Sequence, residues 1–237
     1  HWMNWKEAAL KHAKEEDPKE SCGLLLCQKG KERYWPCKNI ADLPTEGFCI
    51  EPDDWMKGED KAEVIGVIHS HPDCPPTPSP VDLSSCEYID LPFHICNPRT
   101  EAWHSFNPSG YKTPLIGRQW TWGASDCWTL IIDWFAEQGL EVKDWERPKR
   151  SEEILTNDIF CEQNFIESGF VPLEDDAEWL VGDLLLFKFT GPSPDHVGIY
   201  IGQKVLHHMG GKLSSRDPLN EFLINAIVRR YRHAKKN

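Results

Sequence analysis

The chain has 237 residues, with 40% hydrophobic and 27% charged side chains, the balance of an ordinary globular protein long enough for one large or two small domains. Its net charge of −12 is shared by both halves: residues 1–110 carry 11 basic and 19 acidic groups (net −8) and the remainder 15 and 19 (net −4). That excludes nucleic acid as the main partner. Membrane insertion is not expected either: no run approaches the ~18 apolar residues of a spanning helix, and His1-Trp2-Met3-Asn4-Trp5-Lys6 does not read as a signal peptide.

Taken in order, residues 5–16 read as a helix that Asp17-Pro18 ends, because proline cannot continue it. Cys22–Cys27 and Val64–Ile68 are apolar runs of strand length. Residues 72–80 hold five prolines and must be a loop. Leu91–Cys96 and Ala102–Phe106 follow as strands. The turn cluster Asn107-Pro108-Ser109-Gly110 marks the domain boundary, giving domains 1–109 and 110–237. Beyond it, Cys127, Leu130, Ile131, Trp134 and Phe135 recur at steps of three and four, one face of a helix from about Ser125 to Gln138, with Ser125 as N-cap and Gly139 as stop. Residues 151–168 form a weaker helical segment. Strands Asp183–Phe189, His196–Ile201 and Val205–His208 follow, the last two joined by a turn at Gly202-Gln203-Lys204. The basic end from Arg229 to Lys236 reads as a solvated tail.

Nine cysteines, an odd number without CxxC pairs, fit neither a disulfide framework nor a zinc ribbon, so free thiols in a reducing compartment are expected. Cys22, Cys96 and Cys161 read as small buried hydrophobes.

Two constellations carry chemistry. At the end of the run Val64–Ile68, His69 and His71 project to the same side of an extended chain. With Asp82, reached through the proline-rich loop, they supply three N/O ligands and leave a position for water, the pattern of catalytic zinc. Zinc lowers the pKa of its water to about 7, and a carboxylate must then take the proton. His69-Ser70-His71-Pro72, with Ser79 and Asp82 at the following spacings, resembles the JAMM (Mov34/MPN) metalloprotease signature His-x-His-x7-Ser-x2-Asp without a gap. Pro18-Lys19-Glu20-Ser21-Cys22-Gly23-Leu24-Leu25 resembles the segment bearing that family's acid/base. The resemblance implies Glu20 as acid/base and Ser79 as donor to the developing oxyanion.

In the second constellation, Cys127 falls in the first turn of its helix, where the dipole favours the thiolate. His196, on a strand face with Gly198 and Tyr200, offers the base. A third polar group should orient the imidazole, and adjacent residues His207 and His208 both qualify, although strand alternation lets only one face His196. Trp122-Gly123-Ala124-Ser125-Asp126-Cys127 and His196-Val197-Gly198-Ile199-Tyr200-Ile201-Gly202 resemble the NlpC/P60 peptidases, in that family's order. The resemblance implies Cys127 as nucleophile, His196 as base and a polar residue on the next strand as third member. Leu206-His207 matches the family's usual Leu-His pair if the hairpin turn has lost one residue. That favours His207, whereas an ungapped count selects His208. Trp120 stands where many members carry tyrosine.

The two together, with Gly110-Tyr111 to Pro114–Gln119 and Leu206–Ser214, resemble phage tail assembly proteins of the lambda K type. The fold implied is two α+β domains, a JAMM/MPN-like α/β sandwich followed by a papain-like NlpC/P60 domain. The function implied is a zinc-dependent and cysteine-dependent peptidase of the tail tip. Its partners would be other tail tip proteins, its substrates peptidoglycan stem peptides, and its location the host cytoplasm during assembly, then the virion tail tip. The alternative from another class is a structural tail-tip component with vestigial sites or sites used once.

Overall fold

A computed structural model describes residues 3–147 and 158–236. The chain divides into two compact units, His1–Thr113 and Pro114–Asn237.

The first unit runs α1 (Trp5–Glu16), β1 (Cys22–Gln28), β2 (Lys31–Cys37), α2 (Pro52–Lys61), β3 (Glu63–Ser70), α3 (Pro80–Ile89), β4 (Phe93–Cys96) and β5 (Trp103–Phe106). Asn4 caps α1 in a reciprocal box with Glu7, which satisfies amides that the first turn leaves open. Among the described residues the strands make one sheet ordered β2-β1-β3-β4-β5, with β3 and β4 parallel across α3 and the other pairs antiparallel. The run Leu24-Leu25-Leu26 is apolar throughout because both faces of β1 are covered. Leu24 and Leu26 join Val67, Cys86 and Phe93 on one side, while Leu25 meets Ala9, Tyr34 and Ile68 on the other. Each such leucine is worth about 1.5–3 kcal/mol of burial.

The second unit contains α4 (Cys127–Glu137), α5 (Glu162–Ser168), β6 (Phe170–Pro172), β7 (Leu184–Phe187), β8 (His196–Tyr200), β9 (Lys204–His207), β10 (Ser215–Pro218), α6 (Glu221–Ala226) and β11 (Ile227–His233). Its sheet is ordered β10-β9-β8-β7-β11-β6 among the described residues. The apolar face of α4, including Leu130, Ile131 and Phe135, packs with Leu184, Leu186, Val197, Ile199 and Leu206. Gly202 and Gln203, with φ of 85° and 61°, close the β8–β9 hairpin as a two-residue turn, the backbone twist such hairpins favour.

Three expectations are corrected. The N-cap of α4 is Asp126, whose carboxylate accepts from the Trp128 and Thr129 amides, and Ser125 instead donates to the Gln119 carbonyl. The basic C-terminal run is exposed only at Ala234–Lys236. From Arg229 to His233 it belongs to strand β11, where buried Arg230 and partly covered Arg232 pair with the buried Asp183 at 3.7 and 2.8 Å. The helical segment read over 151–168 lies partly outside the described residues, and its described part becomes helical only at Glu162. All nine cysteines are free, and no helix among the described residues is long and apolar enough to cross a membrane.

Candidate active sites

The first site forms where β3 ends. His69 sits between Cys22 of β1 and Ile95 of β4. Ser70 fastens the incoming chain: its amide donates to the Ser21 carbonyl and its hydroxyl accepts from the Ser21 amide at 2.7 Å. This draws Glu20 alongside, where its own amide donates to the Pro44 carbonyl and its carbonyl accepts from Asn39 Nδ2. Asp82 arrives from the first turn of α3, which Ser79 caps: Ser79 Oγ accepts from the Asp82 amide, and Asp82 Oδ2 accepts from the Ser79 amide. The cap uses a lone pair of Ser79 and leaves its hydroxyl hydrogen free to donate elsewhere.

Asp82 bridges the two imidazoles, its Oδ1 3.0 Å from His69 Nε2 and its Oδ2 3.1 Å from His71 Nε2. Glu20, His69 and His71 form a group whose ligand atoms all lie within 4.8 Å of one another. All four side chains are buried.

The donor set fits a divalent cation. His71 Nδ1 lies 2.9 Å from the Pro75 carbonyl, which can only accept, so Nδ1 carries the hydrogen and a neutral ring turns the Nε2 lone pair toward a carboxylate oxygen. His69 is fully buried, yet both its nitrogens lack an aligned hydrogen-bond partner despite the nearby Asp82 oxygen. Lone pairs converging on a carboxylate need a cation or a proton among them. Burial pushes the Glu20 carboxyl up to about 7, against the opposing pull of His69 and His71. Burial would also raise Asp82, but the charge of the adjacent His69 ring, with the hydrogen bonds from His71 and the Ser79 amide, reverses this and holds it far below the usual carboxylate range. The Phe48 ring stacks on His69 with centroids 4.3 Å apart.

The second site lies between α4 and the β8–β9 hairpin. Cys127 is the first residue of α4 and fully buried. The Asp126 carboxylate beneath it accepts from the Gly123 amide and pairs with Arg147 Nε at 3.0 Å. The helix terminus does not leave this thiol acidic, contrary to the expectation from the dipole. Burial, followed by the Asp126 charge, pushes it up to about 12, only partly offset by the Val197 amide that donates to it. Burial, with His207 and His208 nearby, holds His196 well below its ordinary value.

His196 Nε2 lies 3.0 Å from His207 Nδ1, and His207 Nε2 lies 2.6 Å from Asp217 Oδ2. The structure thus brings His207 to His196. His208 turns away, its Nε2 donating to the Lys212 carbonyl at 2.8 Å and its ring edge-on to Trp120. Asp217, on β10, escaped the sequence reading, as did Asn39 and Ser70 of the first site and Arg147 of the second. Each acts through a partner distant in sequence, so no local spacing announces it.

Gly198 sets how closely the hairpin strands approach. It faces His207 across the β8–β9 pair, and a Cβ there would come within 2.5 Å of Val205 Cγ2 and 3.1 Å of His207 Cβ. Gly198→Ala should destabilise the second unit by roughly 1–3 kcal/mol, the usual cost of overpacking. Denaturant unfolding checks this, and an unchanged midpoint would contradict it.

Comparison with known proteins accounts for both halves. The model for prokaryotic homologs of the JAB domain matches residues 4–107, and that of the NlpC/P60 family matches residues 117–232. The chain is 32% identical over 235 residues to the tail tip assembly protein K of Escherichia phage N15, covering 98% of this chain and 96% of that protein. It is 32% identical over 174 residues to the protein of the same name from Escherichia phage lambda, covering 71% and 81%. The first half is also similar to the desampylase of Haloferax volcanii, 26% identical over 105 residues, covering 39% of this chain and 76% of that one.

Proposed function

Given that the chain belongs to the tail tip assembly protein K family, with a JAB half and an NlpC/P60 half, we propose that it is a tail tip protein of a phage that hydrolyses peptide bonds at two separate sites. The Cys127 site cuts peptidoglycan stem peptides, at bonds next to D-amino acids or diaminopimelate. The JAB site processes a tail protein or cuts a second bond in the wall. The observation that supports this reading is His196 Nε2 lying 3.0 Å from His207 Nδ1, both rings buried in the unit whose helix α4 begins with the buried Cys127.

In the first site His69, His71 and Asp82 would hold zinc, which when bound supplies Lewis acidity and an acidified water. Glu20, with a carboxyl of about 7, is poised to take a proton near neutral pH and return it to the leaving amine. Ser79 offers its hydroxyl hydrogen to the carbonyl oxygen as charge develops there.

In the second site His196 takes the Cys127 proton as sulfur attacks the scissile carbonyl, forming a tetrahedral adduct. Its collapse expels the amine, which receives the proton from His196 and leaves a thioester for water to hydrolyse. The imidazolium formed in between donates to His207 Nδ1.

If catalysis is the protein's task, phage carrying Cys127→Ala or Glu20→Gln should lose infectivity by at least about tenfold. The measurement is plaque titre and tail morphology in a complementation assay. Normal assembly and infection by both variants would support the purely structural alternative. Other tail tip proteins are the partners and the host cytoplasm the place of action during assembly, with the virion tail tip as the later location.

A further inference from the structure

Resting on the reading of Cys127 and His196 as a catalytic pair, we propose that Asp217 is a positioning residue that fixes the direction of a four-membered hydrogen-bond chain and thereby makes His196 a base toward Cys127. Asp217 Oδ2 also accepts from the Ser215 hydroxyl at 2.9 Å, so its carboxylate is held as an acceptor on two sides. The bond from His207 holds the Asp217 carboxyl below its ordinary value, against slight burial. A carboxylate 2.6 Å from His207 Nε2 requires a hydrogen on that nitrogen. A neutral His207 then has a bare Nδ1, which must accept from His196 Nε2 3.0 Å away. With its hydrogen on Nε2, His196 has a bare Nδ1, the state able to take a thiol proton.

The far end of the chain thus dictates the near end. Without Asp217, His207 is free to place its hydrogen on Nδ1. His196 would then accept at Nε2, carry its own hydrogen on Nδ1, and have no lone pair for the thiol. Once His196 is protonated, the same chain disperses its charge toward Asp217.

The surrounding charges leave this role to Asp217. On the α4 side Asp126 is engaged by Arg147 and by three backbone amides. His208 feels Asp126 and Arg118, and Lys212 faces Asp217. Ser215 stands opposite His207 in the β9–β10 pair, which sets Asp217 diagonally across from that ring.

The test uses the full chain with Asp217→Ala and Asp217→Asn. Asp217 is 46% exposed at its side chain, so neither change opens a cavity. Two quantities are read: the rate at which iodoacetamide labels Cys127, followed on the Cys127 peptide by mass spectrometry across pH, and kcat and KM on a stem tetrapeptide. Asp217→Ala should slow labelling near about pH 6 and lower kcat about 10–100-fold with KM unchanged, the scale of losing an outer orienting partner. The labelling gap should narrow as pH rises, because solvent hydroxide then takes the thiol proton without the His196 ring. Asp217→Asn keeps an acceptor for His207 and should lose less. Wild-type labelling, pH profile and kcat in Asp217→Ala, alongside an inactive Cys127→Ala, would overturn this inference alone. Full activity of Cys127→Ala would overturn both it and the site on which it rests.

Discussion

Cys127→Ala is expected to lower the proposed stem-peptide cleavage by about 10⁴-fold or more while leaving the second unit folded. The large effect follows from the proposed chemistry, in which the thiol forms the covalent intermediate and its loss removes that step. The small structural effect follows from the substitution, which removes one sulfur from the N-terminus of α4 and keeps Asp126 as its cap. Kinetics on purified muropeptides, with circular dichroism as the folding control, measure both. Residual activity within tenfold of wild type would remove Cys127 from the mechanism.

The second large effect concerns the metal site. Asp82→Ala should reduce zinc from one ion per chain to an undetectable level, with affinity lowered by more than about 100-fold. Loss of an outer-shell partner alone commonly costs 10–100-fold, and Asp82 faces both imidazoles directly. The same change removes the acceptor for the Ser79 amide, so α3 should also lose about 1 kcal/mol of capping. Zinc titration with a chromogenic chelator gives the affinity, and atomic absorption the stoichiometry. Asp82→Ala chains that still carry stoichiometric zinc would show that the ligand set lies elsewhere.

The metal constellation was legible because its spacing is local. His69 and His71 alternate with Ser70 on a strand end, and Ser79 and Asp82 share one helical turn through a capping box. The Cys127 and His196 segments were legible for the same reason. The choice between His207 and His208 was harder, because it depends on the register of a hairpin whose turn is two residues, Gly202 and Gln203, both at positive φ. Asp217 was invisible, since its meeting with His207 depends on β9–β10 pairing across the intervening segment 208–214.

Fold elements were missed where pattern and environment part company. β2 is an edge strand carrying Lys31, Glu32, Arg33 and Pro36, residues that protect an edge but hide the strand signal. α2 is mostly polar, and α3 begins inside the proline-rich run, with Pro80 in its first turn, where its missing amide costs nothing. The raised Cys127 thiol was hidden because a helix dipole can be read from sequence, whereas complete burial, the larger cause, is a tertiary fact.

We propose for this chain two independent peptide-hydrolysing sites, of which the cysteine site acts on the cell wall. The most direct measurement is mass spectrometry of peptidoglycan digested by the purified full-length protein, with and without EDTA and with and without prior iodoacetamide treatment. The expected result is new stem-peptide fragments that survive EDTA, with the cysteine-dependent ones lost after alkylation. An undigested wall in every arm, or fragments that still form when Cys127 is alkylated and EDTA is present together, would contradict the two-site reading.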